Sequence, residues 1–166
     1  MKVEEIETSR IIPYANNPRH NDQAVSAVAA SIKEFGFRQP IVTDEALVVL
    51  VGHTRLKAAK ELGLACVPVH VAEGLTEAQK KAYRIADNRL NDLADWDKEQ
   101  LAIEFDALRL DGFDLELTGF SSEELSDVLE EAGTKMIEGA KEYGAEDFSE
   151  FDHTCPKCGF EFNGKA

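Results

Sequence analysis

Residues 47–63 read LVVLVGHTRLKAAKELG and join an apolar run to a helix through a glycine. The run 47–51 is continuously apolar and mostly β-branched, which is typical of a buried strand. Beyond Gly52, apolar residues recur at the spacing of one helix face, at Leu56, Ala59 and Leu62. The stretch therefore predicts a strand-to-helix turn, with Thr54 as the N-cap of the helix.

The turn 52–55 is a candidate anion site. The first turn of a helix has free backbone amides, and the guanidinium of Arg55 adds further donors beside them. The alternative is an ordinary strand-to-helix junction that binds nothing. His53 is a candidate general acid or base, because histidine titrates near physiological pH, or else a turn residue that hydrogen-bonds its neighbours. The residues before Arg55 lack the Gly-Lys-Ser/Thr ending of a P-loop.

Composition indicates a globular protein of the reducing cytoplasm. Of 166 residues, 43% are hydrophobic and 30% charged, and no apolar run approaches the roughly 18 residues of a membrane span. The first ten residues lack the apolar segment of a signal peptide, and three cysteines do not make an even disulfide framework. We therefore expect a cytoplasmic protein with no membrane partner.

The net charge of −14 is carried by the second half of the chain. Residues 1–75 hold 8 Lys and Arg against 9 Asp and Glu, whereas residues 76–166 hold 10 against 23. Because a strongly acidic surface repels phosphate backbones, we expect nonspecific DNA binding by the whole chain to be weak.

Periodicity and caps predict alternating strands and helices. Strands are predicted over 4–12, 41–43, 47–51 and 65–71, and helices over 22–35, 54–62, 76–93, 97–110 and 121–132. Pro68 favours an edge or strand-end position for the last strand. Residues 133–152 are rich in Glu, Gly and Ala and predict an acidic linker.

Two further groups of polar residues could converge on the turn 52–55. Asn17 and Arg19 lie in a turn-rich loop, and Asp87, Asn88 and Arg89 lie on the long predicted helix. A nucleotide phosphate tail requires guanidinium groups for its oxygens and a carboxylate or amide oxygen for a hydrated Mg²⁺, roles that suit Arg19, Asp87 and Asn88. The alternative is that Asp87 forms an ordinary surface pair with Arg84 and that Asn88 is solvated.

The C-terminal segment contains half of a zinc knuckle. Cys155 and Cys158 are separated by two residues and glycine follows Cys158, so that both thiolates can reach one tetrahedral ion. His153 is a candidate third ligand for Zn²⁺. The fourth ligand would come from Cys66 or from a second chain.

Five segments resemble the ParB/sulfiredoxin-type domain in order and spacing: PYANNPRH (13–20), the helix SIKEFGF (31–37), QPIV (39–42), VGHTRLKAAKELG (51–63) and VPVHVAEGLTEAQKKAYRIADNRL (67–90). The resemblance covers about residues 6–95 and is greatest to the ParB N-terminal-like domains joined to phage and prophage DNA methyltransferases. It implies an α/β (α+β) fold with a small mixed sheet flanked by helices in 1–95. A helical extension (96–132), the acidic linker (133–152) and a mobile Cys-x-x-Cys tail (153–166) would follow.

The resemblance also assigns site residues. Gly52, His53, Thr54 and Arg55 stand where ParB has its triphosphate-binding Gly-Glu-Arg-Arg turn, Asp87-Asn88 stand at its Glu-Asn metal and phosphate site, and Gln39-Pro40 match the segment that borders the nucleotide. The implied ligand is a nucleoside triphosphate with Mg²⁺.

Three departures from the family bear on activity. His53 replaces the reactive cysteine of sulfiredoxin, which makes sulfinic acid reduction improbable. Val51 stands where kinase-like relatives have Asp, and Thr54 stands where ParB has its second Arg, so triphosphate affinity is expected to be reduced. The sequence also shows neither a helix-turn-helix DNA reader nor a methyltransferase domain.

Two functions follow from these observations. The first is a nucleotide-binding protein of phage or mobile-element type that acts in DNA transactions. As an enzyme it would be a hydrolase, a nucleoside triphosphatase or a nuclease, with His53 and Asp87 as catalytic residues. The alternative is a noncatalytic adaptor that docks onto a DNA methyltransferase or another DNA-modifying protein. The expected partners are a nucleotide, DNA reached directly or through such a protein, and a second copy of the chain.

Overall fold

The computed structural model describes residues 2–19, 21–138, 153–154 and 161–162, with side chains described up to residue 133. Its helices are α1 Val25–Phe35, α2 His53–Glu61, α3 Glu77–Asn91, α4 Lys98–Leu110 and α5 Ser122–Glu138, with short 3-10 helices at Thr8–Arg10, Asp22–Ala24 and Leu115–Thr118. Its strands are β1 Glu4–Glu7, β2 Ile41–Thr43, β3 Val49–Val51, β4 Cys66–Val71, β5 His153–Thr154 and β6 Glu161–Phe162.

Strands β1 to β4 form one mixed sheet in the order β1-β4-β2-β3. Strand β4 runs antiparallel to β1 and parallel to β2, and β2 runs antiparallel to β3. The turn between β2 and β3 is fixed by Asp44, whose Oδ1 accepts hydrogen bonds from the amides of Ala46 (3.0 Å) and Val48 (2.9 Å). The predicted α/β architecture, a small mixed sheet flanked by helices, is confirmed.

The main core lies between this sheet and α2. It consists of alternate strand residues and the inner face of the helix: Ile6, Ile11, Ile41, Val49, Leu56, Ala59, Val67 and Val69. Helix α1 packs against α2, and α3 packs against β3. Because β3 and α2 are both held by this core, the Gly52 turn between them has a fixed position on the surface.

Helices α4 and α5 form a second, smaller core with Ala102, Phe105, Leu125 and Val128. The ring of Phe120 packs edge-on against Phe105, with 5.2 Å between centroids. Phe113, just after α4, stacks on Phe35 of α1 at 5.9 Å, so this helical extension rests on the α/β unit. None of the helices within the described ranges is long and apolar enough to cross a membrane.

Several predicted boundaries were wrong. The first strand ends at Glu7 rather than residue 12, because the chain turns into a 3-10 helix whose Thr8 hydroxyl donates to the Leu64 carbonyl (2.6 Å). Pro68 lies inside β4, an inner strand, and not at an edge; pairing with β2 starts only at Val69, the residue after it. The helix predicted to end at residue 132 continues to Glu138, so the predicted linker begins later.

Other helix predictions were close to the observed bounds. Thr76 and Gln79 form the predicted capping box at the start of α3. The Asp97 side chain caps α4 by accepting from the amide of Gln100 (3.0 Å).

Candidate functional site

The turn between β3 and α2 depends on a glycine with a left-handed backbone. Gly52 has φ 99° and ψ 30° and precedes the first helical residue, His53. The N-cap is therefore Gly52, and the prediction of Thr54 as N-cap is wrong. Thr54 lies in the first helical turn, where its hydroxyl accepts a hydrogen bond from the Asn21 side-chain amide (2.8 Å).

Space around the turn is limited as well. A Cβ at Gly52 would lie 3.3 Å from Nη1 of Arg55 and 3.5 Å from Cα of Ile41. A glycine is thus required here for both its backbone conformation and its lack of a side chain.

A cavity of about 770 Å³ opens at this turn. Helices α1, α2 and α3, the loop before α1 and the segment before β2 line it. It brings together nine of the predicted site residues: Asn17, Arg19, Gln39, Gly52, His53, Thr54, Arg55, Asp87 and Asn88. The three polar stretches that were predicted to converge from their residue types therefore line one cavity.

Two predicted residues do not line the cavity. Pro40 contributes through its carbonyl, which accepts a hydrogen bond from Arg55. Arg89 is exposed, because the cavity faces the side of α3 that carries Asp87, Asn88 and Asn91.

Arg55 connects α2 to the segment before β2. Its Nη1 donates to the carbonyls of Pro40 (2.8 Å) and Gln39 (3.3 Å), and its Nη2 donates to Oε1 of Gln39 (2.9 Å). Burial lowers the pKa of the guanidinium and the negative charge of Asp87 raises it, yet an arginine stays protonated at any physiological pH. The site therefore holds a fixed positive charge beside the free amides of the α2 N-terminus.

Arg19, in the loop before α1, also lines the cavity. Its Nη1 donates to the carbonyl (3.3 Å) and to Oδ1 (3.2 Å) of Asn88, and its Nη2 lies 3.4 Å from Oδ1 of Asp92. The loop before α1 is thereby joined to α3, and a second guanidinium lies at the cavity wall.

The proposed Mg²⁺ ligands differ in availability. Asn88 uses its Oδ1 for Arg19 and its Nδ2 for the carbonyl of Arg84 (2.7 Å), so a cation at this oxygen would have to displace Arg19. Asp87 lines the cavity, and no hydrogen bond to its carboxylate is found among the described residues. The described part of the chain contains no group of three or more His, Cys, Asp or Glu that could hold a metal ion. One carboxylate does suit Mg²⁺ when phosphate oxygens and water complete its shell.

His53 lies between the main cavity and a smaller one of about 290 Å³ that Lys57 and Lys60 also line. Burial, followed by the charges of Arg84 and Lys57, lowers the pKa of the imidazole below its usual value. Its Nε2 is buried and has no hydrogen-bond partner among the described residues. The ring is therefore neutral at physiological pH, the form that a general base requires.

Sequence reasoning missed two buried cations on α3. Arg84, only 5% exposed, donates from Nε to the carbonyl of Val49 (3.0 Å), and its guanidinium lies 3.8 Å from the ring centroid of Tyr14. Lys80 lies 3.3 Å from a carboxylate oxygen of Asp44 and also contacts Glu45 and Glu77.

These contacts hold α3, and with it Asp87 and Asn88, against the β2–β3 hairpin. The alternative reading of Arg84 as a surface partner of Asp87 is wrong, because Arg84 is buried and its contacts are with Val49 and Tyr14. The spacing of residues 80, 84 and 88 on one helix face was the signal that could have revealed it.

The zinc prediction lies largely outside the described residues. Cys155 and Cys158 are not described, and His153 is described only as backbone in β5, which pairs antiparallel with β6. Cys66 is an exposed free cysteine in β4.

Comparison with known families gives two matches along the chain. The model of the ParB N-terminal domain matches residues 1–89, more than half of the sequence. The chain belongs to the ParB N-terminal domain family. The model of the ParB-methyltransferase HTH domain matches residues 99–156, so the expectation that no helix-turn-helix follows the ParB domain is corrected.

Curated relatives agree with this assignment. The ParB-like nuclease domain-containing protein YnaK of Escherichia coli is 43% identical over 70 residues, which are 42% of this chain and 80% of YnaK. Stage 0 sporulation protein J of Bacillus subtilis is 32% identical over 91 residues, which are 52% of this chain and 32% of that protein. The chain spans about a third of the length of the latter relative.

A solved structure shares the fold. The C-terminally truncated chromosome-partitioning protein ParB from Caulobacter crescentus, complexed with CTP-gamma-S, superposes with a TM-score of 0.64 and 20% identity. The superposition covers 84% of this ParB-like chain and 86% of that one. At this identity the likeness concerns the fold alone.

Proposed function

We propose that this ParB-like chain binds a nucleoside triphosphate with Mg²⁺ and acts in DNA transactions. The observation that carries the proposal is the convergence of the Gly52 turn, Arg55, Arg19 and Asp87 on one cavity. Its volume of about 770 Å³ lies within the usual range for small-molecule sites, roughly 300–1,000 Å³.

The phosphate tail would lie at the N-terminus of α2. The first hydrogen bond of that helix runs from the amide of Leu56 to the carbonyl of Gly52 (2.9 Å), so the amides of residues 53–55 remain outside the helical ladder. Free amides, the positive end of the helix dipole and the Arg55 guanidinium together favour a polyanion.

Asp87 would hold the hydrated metal ion against the phosphates. Arg19 would neutralise further phosphate charge from the loop before α1, either in its contact with Asn88 or after release from it. The metal would supply charge neutralisation for a ligand that would otherwise bring three or four negative charges beside Asp87.

CTP is the first nucleotide to test, because the Caulobacter crescentus ParB of the same fold was solved with a CTP analogue. A hydrolytic activity, on the triphosphate or on DNA, would rest on His53 as base and Asp87 as metal ligand. Val51 in place of a carboxylate leaves the site without the additional acid of kinase-like relatives, so binding is the better supported part of the proposal.

The test is a calorimetric titration of the full chain with CTP, UTP, ATP and GTP, each with Mg²⁺. We expect saturable binding of at least one nucleotide, lost in Arg55→Ala and retained in Arg89→Ala. Arg89 is a matched control, since it was assigned to the site from sequence and lies outside the cavity. Absence of saturable binding for all four nucleotides, or equal loss in both variants, would refute the proposal.

A further inference from the structure

Helix α4 carries an apolar stripe on the face opposite its core. Phe105 and Ala102 are buried against α5, whereas Ile103 is 61% exposed, Leu110 is 85% exposed and Ala107 between them is exposed. Their spacing, i, i+4 and i+7, places all three on one side of the helix at about 100° per residue. We call Ile103, Ala107 and Leu110 the α4 stripe.

Acidic residues border the α4 stripe on both edges. The same rotation places Glu99 and Asp106 along one edge and Glu104 and Asp111 along the other. Asp106 also pairs with Arg109 (2.9 Å). The α4 stripe is thus an apolar strip about 10 Å long between two rows of carboxylates.

The whole region of α4 and α5, residues 98–138, is acidic. Residues 98–138 contain 12 Asp and Glu against 3 Lys and Arg. In a helix-turn-helix, the second helix enters the major groove with its N-terminal residues toward the bases. Here the second described helix, α5, begins with Glu123 and Glu124 and continues with Asp127. If α5 entered a major groove in this way, those carboxylates would face phosphates and the acceptor-rich groove, which disfavours DNA binding through α5.

Repulsion between like charges also argues against a second copy of the chain and against an anionic membrane as the ligand of the α4 stripe. A second copy of the chain, with its net charge of −14, would place its own rows of carboxylates against those that border the α4 stripe. An anionic membrane surface would be repelled in the same way. A cationic partner with apolar side chains is the occupant whose charge and hydrophobicity both match.

We propose that the α4 stripe is the docking site for a cationic amphipathic helix of a protein partner, and that α4 and α5 contact protein in place of DNA. Apolar side chains of the partner would cover Ile103 and Leu110, while its Lys or Arg residues would face Glu104 and Asp111. This inference concerns a surface separate from the nucleotide cavity and does not depend on nucleotide binding.

The test uses a fluorescein-labelled synthetic helix of leucine and lysine, with leucines at positions i, i+3, i+4 and i+7, and the full chain at 150 mM NaCl. We expect saturable binding in fluorescence anisotropy that weakens about tenfold in Ile103→Ser/Leu110→Ser. The matched control is Leu90→Ser/Leu93→Ser, which changes two residues of similar exposure outside the α4 stripe and should leave affinity unchanged.

Two more arms separate the alternatives. The double substitution Glu104→Lys/Asp111→Lys should lower the affinity of the chain for the lysine peptide. A peptide with glutamate in place of lysine should not bind the parent chain. If the α4 stripe variant binds the lysine peptide as tightly as the parent, the attraction is general electrostatics and the proposal is overturned. It is equally overturned if a 40-base-pair duplex binds at the same salt and substitutions in α4 or α5 abolish that binding. Thermal melting checks that each variant is folded.

Discussion

Replacing Gly52 by alanine should damage both stability and ligand binding, and a second glycine provides its control. Gly52 has φ 99° and Gly119 has φ 94°, so an alanine at either position is forced into nearly the same unfavourable backbone region. Such a residue costs about 1–3 kcal/mol. Around Gly119 there is open space, whereas a Cβ at Gly52 would lie 3.3 Å from Nη1 of Arg55.

The difference between the two variants isolates the contact with Arg55. Displacing that guanidinium weakens its 2.8 Å bond to Pro40, worth about 0.5–1.5 kcal/mol. In urea titrations followed by circular dichroism, we expect both variants to lose about 1–3 kcal/mol, with Gly52→Ala the less stable.

In nucleotide titrations, only Gly52→Ala should lose affinity, by about tenfold or more. The reasoning is refuted if Gly52→Ala is as stable as the parent, or if the two variants bind nucleotide equally well.

Three further perturbations test the supports of the site. Arg84→Met removes the donor to Val49 and should destabilise the fold by about 1–3 kcal/mol in urea titrations. Because the pKa of His53 is lowered in the folded protein, the unfolded chain binds a proton at this histidine at a higher pH than the folded chain does. Unfolding free energy should therefore fall as pH drops below about 6.5, and His53→Gln should flatten this slope in melts from pH 7.5 to 5. Leu56 is buried in the core, so Leu56→Ala should lower the free energy of unfolding by about 2–5 kcal/mol in urea titrations. Leu110 is exposed, so Leu110→Ala should change it by no more than about 0.5 kcal/mol.

Matched controls make these outcomes specific. Arg89→Met removes an exposed cation from α3 and should leave the unfolding free energy within about 0.5 kcal/mol of the parent. An Arg84→Met protein as stable as the parent, or equal slopes in His53→Gln and the parent, would contradict the contacts described here.

Local patterns in the sequence were sufficient to predict the helices and to predict which polar stretches could converge at the site. Helical spacing and caps predicted α1 to α5 within a few residues at most ends. The polar residue types of three separate stretches predicted that Asn17, Arg55 and Asp87 could converge, although they are far apart along the chain, and all three line one cavity.

Features that depend on tertiary contacts could not be predicted in the same way. Thr54 has the residue type of an N-cap, yet Gly52 takes that position because the chain must turn sharply between β3 and α2. Arg84 is a charged residue that sequence logic places on the surface, but the Val49 carbonyl and the Tyr14 ring hold it inside. The helix-turn-helix region was missed because its acidic helices lack the basic residues by which a DNA reader is usually noticed.

The measurement that most directly tests the central claim is the change in backbone amide chemical shifts on adding CTP and Mg²⁺ to the ¹⁵N-labelled chain. The account predicts the largest changes at residues 52–56, with further changes at Gln39, Arg19 and Asp87. Changes confined to α4 and α5, or to Lys57 and Lys60 of the smaller cavity, would contradict it.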